Sequence, residues 1–107
     1  MSDISRIVRT HDGLEVILSR RTWKHIMTRH PELKSKIELV LEAISNPDEV
    51  YLDKTNARHA LKRVDIVSDY LVVIYRVDRK GYIITAYFIS SRRKRRRYRW
   101  FKKLIHY

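Results

Sequence analysis

Five kinds of side chain in this chain suit one reaction, the breaking of a phosphodiester bond without a metal. His25 and His30 offer imidazoles, Arg58 and Lys62 offer cations, and Thr85 and Tyr87 offer hydroxyls. Histidine, with an ordinary pKa of about 6.5, can take a proton from a ribose 2′-hydroxyl or give one to the departing 5′-oxygen. Guanidinium and ammonium groups neutralise the phosphate, and hydroxyls donate to it or place a proton. A metal is not called for. His25 and His30 lie five positions apart rather than three or four, there is no HExxH and no clustered carboxylate set, and cysteine is absent. No cofactor motif is present either.

The elements that must position these groups are short. Ser19 is a suitable N-cap for a helix running to about Arg29, stopped before Pro31. Trp23, Ile26, Met27 and His30 form its apolar stripe, so His25 points away, flanked by Arg21 and Arg29. A second helix is expected over Glu32–Ser45, ended by Asn46-Pro47. Ile4–Arg9 and Leu14–Leu18 read as strands joined by an Asp-Gly turn, and Val50–Asp53 reads as another. In Arg58–Val67, alternation places Arg58, Ala60, Lys62, Val64 and Ile66 on one face, and His59, Leu61, Arg63 and Asp65 on the other. His59, opposite the two cations, reads as surface. Tyr70–Ser90 is a hairpin about Asp78–Gly81, whose Gly can supply a positive φ. Strict alternation would put Tyr82, Ile84, Ala86 and Phe88 towards the core, leaving Ile83, Thr85, Tyr87 and Ile89 on the other side. Arg76 interrupts an apolar run and is a further phosphate candidate. The expected class is α+β, with two N-terminal helices packed on a mostly antiparallel sheet and a basic C-terminal tail or helix.

Charge separates the chain in two. Of 24 Lys/Arg and 12 Asp/Glu, the last 17 residues hold nine cations and no acid. Residues 1–90 therefore read as one domain and 91–107 as a basic, aromatic-containing extension. Six consecutive cations, Arg92, Arg93, Lys94, Arg95, Arg96 and Arg97, should repel one another and stay extended. Beyond them Trp100, Phe101, Leu104 and Ile105 have the spacing of an amphipathic helix. With Arg99, Lys102 and Lys103, this segment has three destinations: docking on the body, lying along RNA or DNA, or lying on a membrane. No apolar window reaches a membrane span, the stretch MSDISRIVRT has no signal-peptide apolar region, and the absence of cysteine makes the cytoplasm the expected location.

The order W-x-H-I-x-x-x-H-P-E (Trp23–Glu32), N-P-D (Asn46–Asp48), R-x-x-x-K (Arg58–Lys62), L-V-V-I-Y (Leu71–Tyr75) and I-T-A-Y (Ile84–Tyr87) resembles the phage- and toxin-associated branch of the barnase–EndoU–colicin–RelE superfamily of metal-independent ribonucleases. The resemblance implies helices packed on an antiparallel sheet with RNA across it. It implies that His25 or His30 is the helical acid or base, that Arg58 and Lys62 hold the scissile phosphate, and that Thr85 and Tyr87 are the polar positions of the last core strand. Its implied reaction is endonucleolytic transesterification to a 2′,3′-cyclic phosphate, and its implied partner, beside RNA, is an acidic antitoxin or immunity protein. The rival reading is a non-catalytic nucleic-acid-binding protein using the same sheet and tail.

Overall fold

The computed structural model describes residues 4–65 and 68–106. Strands β1 (Ile4–Arg9) and β2 (Glu15–Ser19) form the first hairpin, with Gly13 at φ +87° in its turn. Ser19 ends β2 and caps α1 (Arg20–Arg29), its Oγ accepting the Thr22 N–H at 3.0 Å. A single 3-10 turn, Pro31–Leu33, then replaces the first part of the expected second helix, and α2 begins only at Ile37 and runs to Ser45. Lys34 and Lys36 precede α2, where cations oppose the helix dipole. The apolar stripe survives the break, because Leu33, Val40, Leu41 and Ile44 are all buried.

Strands β3 (Glu49–Leu52), β4 (Arg58–Arg63), β5 (Tyr70–Val77) and β6 (Gly81–Ile89) follow. Then come a third helix, α3 (Ser91–Arg97), and a last strand, β7 (Lys102–His106). Ile66 and Val67, expected to extend β4, lie outside the described residues. The seven strands make one sheet in the order β1-β2-β6-β5-β4-β3-β7, antiparallel at every pairing except a short parallel contact between β2 and β6. The class is therefore α+β, with the two longer helices following a hairpin rather than opening the chain. Among the described residues no helix is long and apolar enough to cross a membrane.

The sheet has two covered faces. On the first, α1 and α2 bury Ile26, Val40 and Ile44 against Val16, Leu71, Val73, Tyr75 and Ala86. On the second, Tyr98 and Phe101 pack against Tyr51, Leu61, Val72 and Ile89. Three expectations fail here. A register shift between Ile74 and Tyr75 leaves Ile84 as an extra residue in β6. That bulge flips the alternation, so Ile83 enters the core while Tyr82 and Ile84 are exposed. Gly81 has no positive φ. It is needed because a Cβ there would lie 2.5 Å from the Glu15 carbonyl oxygen, where β2 meets β6. Lastly, the segment after Arg99 is a strand rather than a helix: Lys102 pairs with Leu52 and His106 with Glu49, closing the open edge of β3.

Candidate active site

Register decides which side chains meet. On the second face, one row across the sheet is Glu49, Leu61, Val72 and Tyr87, and the next is Tyr51, His59, Ile74 and Thr85. Arg58 is paired with Tyr75 and Lys62 with Leu71, both in the helix-covered core, so these two cations belong to the opposite face from Thr85 and Tyr87. Arg58 contacts Asp12 at 3.4 Å and Lys62 donates to the Asn46 carbonyl at 2.9 Å. The six residues expected to converge are thus divided by the sheet itself.

His30 crosses that division. Strand β2 accompanies β6 only at Gly81 and Tyr82, so among the described residues the later part of β6 has an edge without a strand neighbour. His30, the C-cap of α1, reaches this edge, and its ring centroid lies 6.0 Å from that of Tyr87. His25 is exposed on α1 with Arg21 and Arg29 and does not share this contact.

The second wall comes from α3, whose cations are ordered rather than extended. Ser90 Oγ accepts the Arg93 N–H, and Asp69 accepts the Ser91 N–H at 2.7 Å. Lys94 donates to the buried Glu49 at 2.7 Å and sits over the Tyr70 ring at 5.3 Å, while Lys103 reaches the same carboxylate at 3.1 Å. Burial opposes ionisation of Glu49, yet the bonds from Lys94, Tyr51 and Lys103 hold its carboxyl below the usual range. Repulsion within the run is relieved by this buried acid and by aromatic faces. Arg97 lies over Tyr87 at 5.2 Å. Tyr87, Phe88 and Ile89 of β6 and Arg93, Arg96 and Arg97 of α3 enclose a groove of about 500 Å³. Arg92 and Arg95 are exposed on α3, Arg99 and Lys102 are exposed beyond it towards β3, and Arg76 is engaged with Thr55.

On the same face of the sheet, covered by Tyr98, is a polar chain that sequence reasoning missed. His59 is only 5% exposed. Its Nε2 lies 2.9 Å from Asp53 and its Nδ1 2.8 Å from the Tyr98 hydroxyl. Asp53 resists burial through bonds from Thr55, His59 and the Ala57 N–H, which hold its carboxyl far below the usual range. Burial pushes the His59 imidazole below its ordinary value despite Asp53, so the ring is neutral. A carboxylate only accepts, so Nε2–H donates to Asp53 and Nδ1 accepts the Tyr98 O–H. Burial, and then Tyr87 nearby, drives the Tyr98 phenol far above its ordinary value and keeps that proton in place. The Tyr87 hydroxyl is itself buried and has no hydrogen-bond partner among the described residues. The one sequence signal was that His59 shares a strand face with Leu61.

A groove walled by three arginines, with the Tyr87 ring in its lining and the His30 imidazole beside that ring, is an arrangement suited to a phosphodiester, the business of a nuclease. Over residues 1–107 the chain matches the family described as phage-Barnase-EndoU-ColicinE5/D-RelE like nuclease 2, and it belongs to that family. No curated protein and no solved structure matches it.

Proposed function

We propose that this protein is a toxin-type endoribonuclease that works without a metal in the cytoplasm. The observation that carries the reading is His30 standing 6.0 Å from Tyr87, a residue that lines the groove walled by Arg93, Arg96 and Arg97. In the reaction the ribose 2′-oxygen attacks phosphorus as the bond to the 5′-oxygen breaks, giving a 2′,3′-cyclic phosphate and a 5′-hydroxyl. His30 takes the 2′-proton or supplies the one the leaving oxygen needs. The arginines neutralise the phosphate as its charge grows, and the Tyr87 ring lines the groove, with Thr85 one row further along the same sheet face. His25, with Arg21 and Arg29, lies on an exposed flank where a strand of RNA would pass. Arg58 and Lys62, on the far face, hold the fold. Residues 91–107 act with the body as one unit, and an acidic antitoxin would neutralise the protein by covering α3.

Incubation with mixed-sequence RNA in the presence of EDTA, followed by mapping of the ends, tests this. Fragments ending in cyclic phosphate are expected, and His30→Ala should cut at least about 100-fold more slowly. RNA bound but left intact would favour the binding protein instead, and an unchanged rate for His30→Ala would remove that residue from the chemistry.

A further inference from the structure

Trp100 is the most exposed large apolar side chain among the described residues, at 86%. It follows α3 and precedes β7, so its backbone is held from both sides. With Phe101 and Leu52 it borders a cleft of about 310 Å³ whose floor is the Asp53–Thr55 turn. This turn is rigid: Asp53 ties Thr55 and Ala57, and Arg76 grips Thr55 from β5. The cleft shares no residue with the groove at Tyr87. Burial against the body does not explain an indole left in water beside a fixed apolar slot.

We propose that the Trp100 cleft is a stacking subsite for one unpaired base of single-stranded RNA. Charge selects this occupant. Arg99 lies 5.7 Å from the Trp100 ring, exposed Lys54 lines the cleft, and exposed Lys102 follows Phe101 in sequence, so phosphates flanking the base have cations within the same neighbourhood. The one acid in the lining, Asp53, has its carboxylate oxygens committed to Thr55, Ala57 and His59, and its single charge is outnumbered by the cations Arg99, Lys54 and Lys102. A duplex hides the flat faces of its bases, whereas a single strand offers them, and any base can stack. Two strands, β4 and β5, separate β3 from β6. At about 4.8 Å per strand step, the stacked base lies roughly 14 Å or more from the Tyr87 edge. Capture therefore reaches a few nucleotides beyond the groove and favours unpaired RNA over duplex.

The proposal rests on the nucleic-acid reading of this face but not on cleavage, and the test separates the two. The probe is a short 2′-O-methylated RNA, which has no free 2′-hydroxyl to attack, used as a single strand and as a hairpin duplex. Binding is read by fluorescence anisotropy with the full chain. Trp100→Ala should weaken single-strand binding about 5- to 150-fold, the range for losing one base stack, with Trp100→Phe retaining most of it. Hairpin affinity should hold, and the slope of affinity against salt should be unchanged because no phosphate contact is removed. An exposed side chain leaves thermal stability unaltered, so misfolding is checked in the same samples. Unchanged single-strand affinity in Trp100→Ala, an equal loss on the hairpin, or a dimer by sedimentation that Trp100→Ala abolishes would each overturn the proposal. Failure of the wild-type protein to cut ordinary RNA would count against the nuclease reading alone.

Discussion

Tyr98→Phe removes one oxygen and almost nothing else. The ring keeps its stack on Tyr51 at 4.7 Å and its edge contact with Phe101 at 4.8 Å. What it loses is the hydroxyl 2.8 Å from Nδ1 of His59, a residue 5% exposed and out of reach of replacement water. A buried acceptor left unpaired costs about 1–3 kcal/mol. For a urea slope of about 2 kcal/mol per molar, the unfolding midpoint should fall by roughly 0.5–1.5 M with the slope unchanged. Equilibrium urea unfolding followed by tryptophan fluorescence measures this directly. A double-mutant cycle with His59→Phe sharpens it, since removing both partners relieves the unpaired nitrogen, and a coupling of about 0.5–3 kcal/mol is expected for groups in contact. A Tyr98→Phe shift under about 0.5 kcal/mol, within the range of an ordinary surface substitution, or a coupling of zero, would refute the buried chain from Asp53 to Tyr98.

The same chain fixes the sign of the pH dependence. His59 titrates lower folded than its unfolded value of 6.5, so its stabilising contribution is whole above that pH and is lost as pH falls towards the folded value. Asp53 and Glu49 are also depressed and act in the same sense from about pH 4 downwards. The melting temperature should therefore begin to drop near pH 6.5, with His59→Gln flattening that upper limb; a flat profile from pH 8 to 5 would contradict the neutral buried imidazole. Gly81→Ala places a methyl 2.5 Å from the Glu15 carbonyl oxygen and 2.9 Å from a Val16 methyl. It should destabilise by about 1–3 kcal/mol in the same urea assay, and a neutral result would mean that β2 and β6 do not approach so closely.

Much of this was legible because it is local. The Ser19 cap, the stripe of α1, the hairpin turn at Gly13 and the alternation of β4 each depend on residues within a turn or two of one another. Alternation also told correctly that Arg58 and Lys62 share a face and that His59 does not. It did not tell which face of the sheet that is relative to Thr85 and Tyr87, because the phase between strands is set by hydrogen-bond register. Nor does alternation survive a bulge, which is why Tyr82 and Ile84 turned outward. His59 looked like a surface residue because its cover, Tyr98, comes from 39 positions further along. The six cations looked unable to fold because the partners of Lys94, namely Glu49 and the rings of Tyr51 and Tyr70, lie on strands far away in sequence, and the Tyr87 ring that meets Arg97 does so only once α3 folds back on β6.

The sequence by itself determined the α+β class, the local elements, the separation of charge and the likeness to a nuclease family, since these follow from short-range periodicity, turn chemistry and motif order. Only the tertiary structure decided that His30 meets Tyr87, that arginines of α3 wall their groove, and that Arg58 and Lys62 stand behind the sheet. The physical reason is that a face, an edge and a buried partner are properties of strand register and chain crossing, and neither is written in any one stretch of residues.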